Sequence, residues 1–146
     1  MAKKPSEMAA ILATVDPASL TANTYTSDWV DASKFEQLMA IVVLGAITGS
    51  GTLDAKLVAS KASDGSNPAD VTGKAVTQLT GAGSDSNKQV ILQVRGDELA
   101  AGYRYVAVSV TTATAATIAG AVILGFNPNY GPASDYDLAS VDEIVG

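Results

Sequence analysis

Residues 103–126 read YRYVAVSVTTATAATIAGAVILGF, and the reading of this stretch decides the fold. In its first half Val106, Val108 and Val110 fall on one side of an extended chain, and Tyr105, Ala107 and Ser109 fall on the other. Side chains alternate along a strand, so a period of two marks a half-buried strand. The second half, Thr117–Phe126, is apolar on both sides, the pattern of a strand covered on both faces. An oligomer interface is a second way to cover such a face. The run Thr111–Thr117 between the halves is polar and small enough to turn. The stretch therefore reads as a β-hairpin with a buried second strand, placing Val106, Val108, Val110, Val122 and Leu124 in the core.

The flanking segments read as its cover. Phe35–Ile47 is long and apolar on both faces and contains the β-branched Ile41, Val42 and Val43, so it reads as a central strand with Val42 in the core. A helix is the rival reading over Lys34–Met39. After the turn Thr48–Gly51, Thr52–Ser60 alternates, with Leu53, Ala55, Leu57 and Ala59 inward and Thr52, Asp54, Lys56, Val58 and Ser60 outward. These two segments read as an antiparallel hairpin. Residues 62–72 form a loop, 73–80 a short strand with Val76 and Leu79, and 81–87 a second loop. Lys88–Arg95 alternates with Val90, Leu92 and Val94 inward, and Asp97–Gly102 suits a single helical turn ended by glycine. Upstream, Leu20–Val30 is rich in Thr and aromatic residues and hence strand-prone. Trp29 reads as core or core-edge packing rather than a ligand platform. In sum, about seven or eight strands separated by turns predict an all-β antiparallel sandwich or barrel over residues 20–126, with the sandwich preferred.

The ends differ in character. Residues 1–19 read as an arm, with Met8, Ile11, Leu12 and Val15 at helical spacing within Ser6–Val15, ended by Asp16-Pro17; it is either a short helix on the chain's own core or an arm that docks on a neighbour. Residues 127–146 (NPNYGPASDYDLASVDEIVG) carry four acids and no base, yet Tyr130, Tyr136, Leu138, Val141, Ile144 and Val145 are spaced apolar anchors. A purely solvating tail needs no such anchors, so this segment is expected to order on a partner subunit. Met8, Ile11, Leu12, Tyr130, Tyr136, Leu138, Val141 and Ile144 are the candidate partner-binding residues.

Composition excludes much chemistry. The chain has 146 residues, with 47 % hydrophobic and 16 % charged, which fits one domain with one core. It lacks both Cys and His, so thiolate and imidazole metal ligation and Ser–His or Cys–His nucleophiles are excluded. A net charge of −6 with nine scattered basic residues gives no patch for nucleic acid. The longest apolar run, Leu38–Ile47, is about half the ~20 residues a membrane helix needs. Lys3 and Lys4 are followed too soon by Glu7 for a secretory leader, so a soluble chain made in the cytoplasm is expected. Asp64, Asn67 and Asp70 in one loop, and Asp85 and Asn87 in the next, are oxygen donors without EF-hand spacing and read as solvated turn residues. Asp54, Asp97 and Glu98 are carboxylates with nothing to pair them, and the Gly-rich turns at 49–51 and 81–83 lack the lysine of a phosphate loop. No enzyme activity and no cofactor are expected. A sugar-binding sandwich using Trp29, Tyr103, Tyr105, Tyr130 or Tyr136 is the alternative, although aromatic content is only 5 %.

Four stretches together resemble a family: TYTSDWVDASKFEQL (24–38), GTLDAKLVASKASDG (51–65), GKAVTQLTGAGSDSNKQVILQVRGDEL (73–99) and 103–145, above all ILGF followed by NPNYGPASDYDLASVDEIV. They resemble small proteins of tailed bacteriophages and prophages encoded beside the major capsid protein. The resemblance covers nearly all of the chain from Tyr25 on. It implies a jelly-roll cement or decoration protein on the outer capsid shell of the virion, a homo-dimer or homo-trimer whose partners are itself and the major capsid protein. A head–tail joining or tail component is a further virion role of the same kind.

Overall fold

The computed structural model describes residues 2–133 and 139–146, which form a nearly all-β chain. Its strands are β1 (Ala9–Leu20), β2 (Asn23–Thr26), β3 (Val30–Asp31), β4 (Phe35–Ile47), β5 (Thr52–Ser60), β6 (Ala69–Ala75), β7 (Leu79–Thr80), β8 (Gln89–Arg95), β9 (Tyr105–Ala113) and β10 (Thr117–Pro128). Two antiparallel sheets result. The first has the order β1-β10-β4-β8, and the second β2-β9-β5-β6, with β3 also beside β9 and β7 beside β5.

The two expected hairpins are not hairpins. β9 belongs to the second sheet and β10 to the first, so Thr114–Ala116 carries the chain from one sheet to the other. Likewise β4 lies in the first sheet and β5 in the second, joined through residues 48–51. The partners are exchanged: β9 pairs with β5 along nine residues, from Thr52↔Ala113 to Ser60↔Tyr105, and β10 pairs with β4 from Thr117↔Ile47 to Pro128↔Phe35. The two crossings are tied together, since the Thr48 amide donates to the Ala116 carbonyl at 3.1 Å.

The core lies between the sheets. Leu38, Ala40, Val42 and Leu44 of β4, Ala119, Ala121 and Ile123 of β10, and Leu92 and Val94 of β8 face Leu53, Ala55, Leu57 and Ala59 of β5 and Val106, Val108 and Val110 of β9. The inward sets expected for β5 and β9 are found there. Val90 is partly buried against the same core; Trp29 is a correction, since it is partly buried against Gly65 of the 61–68 loop rather than in that core. Val122 and Leu124 are a correction: they point outward, because the inward parity of β10 belongs to Ala119, Ala121, Ile123 and Gly125. Gly125 is needed inward, where a Cβ would lie 2.6 Å from Cγ of Phe35.

The termini also depart from expectation. In the N-terminal segment helix is confined to α1 (Pro5–Met8), and from Ala9 the chain is β1, paired with β10 from Ala9↔Phe126 to Leu20↔Thr117. Spacing of i, i+3, i+4 over Met8–Val15 is local, whereas pairing with an apolar neighbour strand, interrupted at two register shifts, satisfies the backbone groups of the paired residues on that side. Asp16-Pro17 does not end the segment but sits in a bulge between Val15 and Ala18. At the other end, residues 127–133 belong to the body. The Asn129 amide donates to the Lys34 carbonyl at 2.9 Å, the Ala133 amide to the Glu7 carbonyl at 3.0 Å, and Ala133 is buried. Finally, β6 begins within the segment read as a loop at 62–72.

Candidate interaction surface

The outward face of the first sheet is apolar. Register places Ile11, Leu124, Met39 and Gln93 in one row across the four strands. The next row is Thr14, Val122, Ile41 and Ile91, and the next runs Gly120, Val43 and Gln89. Residues opposite each other in an antiparallel sheet share a face, so these rows form one surface. Three of its members are well exposed: Ile91 at 59 %, Ile118 at 50 % and Val43 at 48 %. Two glycines keep the surface shallow. Ile118 lies across Gly45, and Pro17, carried by the bulge of β1, lies across Gly120. At one end a hollow of about 440 Å³ is lined by Met39, Gln93, Arg95 and Phe126 together with Lys74 and Glu98, which form an ion pair at 2.9 Å.

The second sheet differs. Its outward positions are Thr24 and Thr26 of β2, Tyr105, Ala107, Ser109 and Thr111 of β9, and Asp54, Lys56 and Val58 of β5. Thr24 and Thr111 hydroxyls meet at 2.9 Å, and Lys56 pairs with Asp70 at 2.7 Å. At its margins this is the polar-out alternation of a sheet that faces water, but Val58, Ala107 and Ser109 in its middle are buried. On the first sheet β8 turns Gln89, Gln93 and Arg95 outward, but the outward positions of β4 and β10 are mostly aliphatic.

The sheet edges differ in the same sense. β1 carries Asp16, Pro17 and two register shifts; β2 and β3 are short; β6 has a register shift and Gly73 at φ 75°. Such features blunt an edge against further pairing. β8 pairs with β4 through seven residues without a shift and has no Pro and no charge before Arg95. The Leu44 amide donates to the Lys88 carbonyl. Bonded pairs alternate along an antiparallel ladder, so the backbone groups of Gln89, Ile91 and Gln93 point away from β4.

The anticipated partner-binding residues scatter. Ile11 stands on the apolar face, half-buried. Leu12 is a correction: it is buried in the core, because the register of β1 turns it inward. Met8, Tyr130 and Ile144 are exposed and Val141 is partly buried, while Tyr136 and Leu138 lie outside the described residues. Ile91 stands outward, as the alternation of Lys88–Arg95 implies; the sequence reading missed Met39, Ile41, Val43 and Ile118 as surface residues. Their signal was present, in the two-sided apolarity of β4 and β10.

The aromatic residues weighed as a sugar platform do not share one surface. Trp29 and Tyr105 line a cleft of about 180 Å³ with Leu12, Val30, Asp31, Lys34 and Phe35, below the roughly 300–1,000 Å³ of ordinary ligand pockets. Tyr103 lies in a different hollow, under the Lys61 ammonium. Beside the cleft, Arg104 donates to both Asp31 oxygens at 2.8 and 2.6 Å, and the Ser33 amide and hydroxyl donate to the same carboxylate. The Arg104 guanidinium, and then Ser33, hold the Asp31 carboxyl well below the usual carboxylate range despite partial burial. A carboxylate with a depressed folded-state pKa adds stability above its unfolded-state value and loses it as pH falls toward the folded value. Thermal unfolding is therefore expected to be flat near neutrality and to weaken below about pH 4. In Asp31→Asn that acid limb should be shallower; an unchanged limb would refute the assignment.

The oxygen-donor loops are engaged with the protein itself. Asp64 accepts from the Ser66 amide, Asp70 pairs with Lys56, and Asp85 accepts from the Thr80 amide and Lys88. Among the described residues no group of three or more acidic side chains is placed to hold a metal ion, and no helix is long and apolar enough to cross a membrane. Comparison of the sequence with family models and with curated proteins finds no match.

Proposed function

We propose that this chain is a structural virion protein, a cement or decoration protein that binds the outer surface of a tailed-phage capsid shell and stabilises it. One observation carries the reading: the middle rows of one sheet's outward face are uncharged and mostly aliphatic, with Ile91, Ile118 and Val43 about half exposed, while the outward positions of the other include the exposed Thr24 and Thr26 and the Lys56–Asp70 ion pair. Contiguous apolar surface of this kind belongs to an assembly. The protein acts without catalysis or cofactor, through contacts with copies of itself and with the major capsid protein. It is assembled in the host cytoplasm and resides on the capsid surface. Exposed Tyr130, Ile144 and Val145 add apolar contact points near the C-terminal end. Multivalent display over a shell lets each contact be modest.

The finer fold reading is a jelly roll. β2 and β3 lie successively along β9, and β6 and β7 successively along β5, so each couple fills one lane. With lanes numbered along the chain, the first pairs with the last, the second with the last but one, and so inward. That is a long antiparallel ribbon folded over on itself, and it supports the jelly-roll reading.

Quantitative mass spectrometry of particles purified from a host carrying the encoding phage or prophage tests the function. The expected result is a copy number that scales with the number of shell subunits. A copy number matching a single ring would assign a head–tail joining role instead, and absence from particles would overturn the virion reading.

A further inference from the structure

We infer that the apolar face of the first sheet is the seat of a second copy of this chain, packed sheet against sheet about a two-fold axis. The inference rests on the assembly reading above and names the occupant of that surface. Three observations carry it.

The first is charge. The chain has fifteen acidic residues and a net charge of −6. None of the acids occupies the outward rows Ile11–Leu124–Met39–Gln93, Thr14–Val122–Ile41–Ile91 or Gly120–Val43–Gln89. A two-fold interface brings one patch against itself, so any charge near the axis meets its like. Charge stands at the margins of the face, where Arg95 ends the row Ala9–Phe126–Gln37 and Asp16 accepts from the Thr14 hydroxyl, so the middle of the face, where the axis would pass, satisfies that condition. A differently charged partner would be better served by complementary groups, which these rows lack.

The second is size. Four strands about 4.8 Å apart and nine residues of about 3.4 Å rise, Ile118 to Phe126, span roughly 19 by 30 Å. Two such faces cover on the order of 1,100 Å² before side-chain relief is counted, which clears the threshold of about 1,000 Å² for a specific interface.

The third is shape. The face is a regular twisted sheet bearing Ile, Val, Leu and Met, with Gly45 and Gly120 as low points beneath Ile118 and Pro17. Two copies of one twisted sheet pack face to face at about 10 Å, as the two sheets within a sandwich do. The face thus repeats on the outside the packing that builds the core.

The test uses the full chain, purified without capsids. Sedimentation velocity over a micromolar concentration series should show a dimer. Ile118→Asp and Val122→Asp, both on β10 and two strands from the β8 edge, should yield monomers with the parent's circular dichroism spectrum. Ile118 is half exposed, so its variant folds even where Val122→Asp does not. Because the chain has no cysteine, Ile41→Cys provides a second readout and should form an intermolecular disulfide on mild oxidation. A monomeric wild type, a trimer, or a dimer that survives Ile118→Asp, as edge pairing through β8 would, overturns the proposal. Those outcomes leave the copy number per particle unaffected, so failure here and failure of the virion reading are told apart.

Discussion

Leu57→Ala is expected to destabilise the protein by about 2–5 kcal/mol, the range for emptying a buried leucine site. Leu57 is 2 % exposed, sits in the middle of β5 and is paired across the ladder with Val108. Both neighbouring positions on its inward side, Ala55 and Ala59, are small, so nothing adjacent on the strand can swing in to fill the space. The matched control is Ile91→Ala. It deletes a similar volume from a strand of similar length, but from the outward side of β8 at 59 % exposure. In dilute protein, where the monomer prevails, that change should stay within about 0.5 kcal/mol. At high concentration it should reduce stability, because a partner that binds only the folded chain stabilises it by mass action. Urea unfolding at two protein concentrations separates the two effects. Equal losses for both variants in dilute protein would mean that inner and outer faces have been exchanged.

This contrast also marks where local sequence stops informing. Inward and outward sides of β5 were legible because Leu53, Ala55 and Leu57 alternate with Thr52, Asp54 and Lys56. Polar side chains label the wet side. On β10 both sides are apolar, so no residue labels either, and Val122 and Leu124 were placed in the core when Ala119, Ala121 and Ile123 lie there. The pattern was read as two covered faces, and the structure covers one of them with the core; the outward side is partly exposed, with Ile118 at 50 %. Connections failed for a related reason. A short run of Gly, Ser, Thr or Ala between two strands joins neighbours within a sheet or strands of opposite sheets equally well. The choice is made by partners far away in sequence, such as β1 for β10 and β5 for β9. β1 failed because its apolar spacing suits a helix and a strand alike, and β10 decided it. The absence of His and Cys, by contrast, needs no partner to be read and bounded the chemistry from the start.

Gly65→Ala is the second change expected to have a large effect, and it acts through Trp29. Gly65 has φ +76°, and a Cβ there would fall 1.9 Å from Nε1 and 2.1 Å from Cε2 of the indole. The loop that carries it is held by its own bonds. The Ser60 hydroxyl donates to the Ser66 carbonyl at 2.7 Å, and the Gly65 amide donates to the Ala62 carbonyl at 3.1 Å. Loop and ring therefore cannot both stay in place. The left-handed backbone costs alanine about 1–2 kcal/mol, and overpacking against the ring adds about 1–3 kcal/mol. Only the second contribution depends on Trp29. In a Trp29→Ala background Gly65→Ala should thus cost the backbone part alone, and the difference between backgrounds measures the contact. Trp29 is the sole tryptophan, so intrinsic fluorescence reports its surroundings directly. The emission of Gly65→Ala should shift to the red as the ring is pushed from its half-buried seat into water. Were Gly65→Ala to cost the same in both backgrounds with no spectral shift, the loop would not be seated on the indole. The cleft beside Tyr105 and Asp31 would then lose the wall that Trp29 supplies.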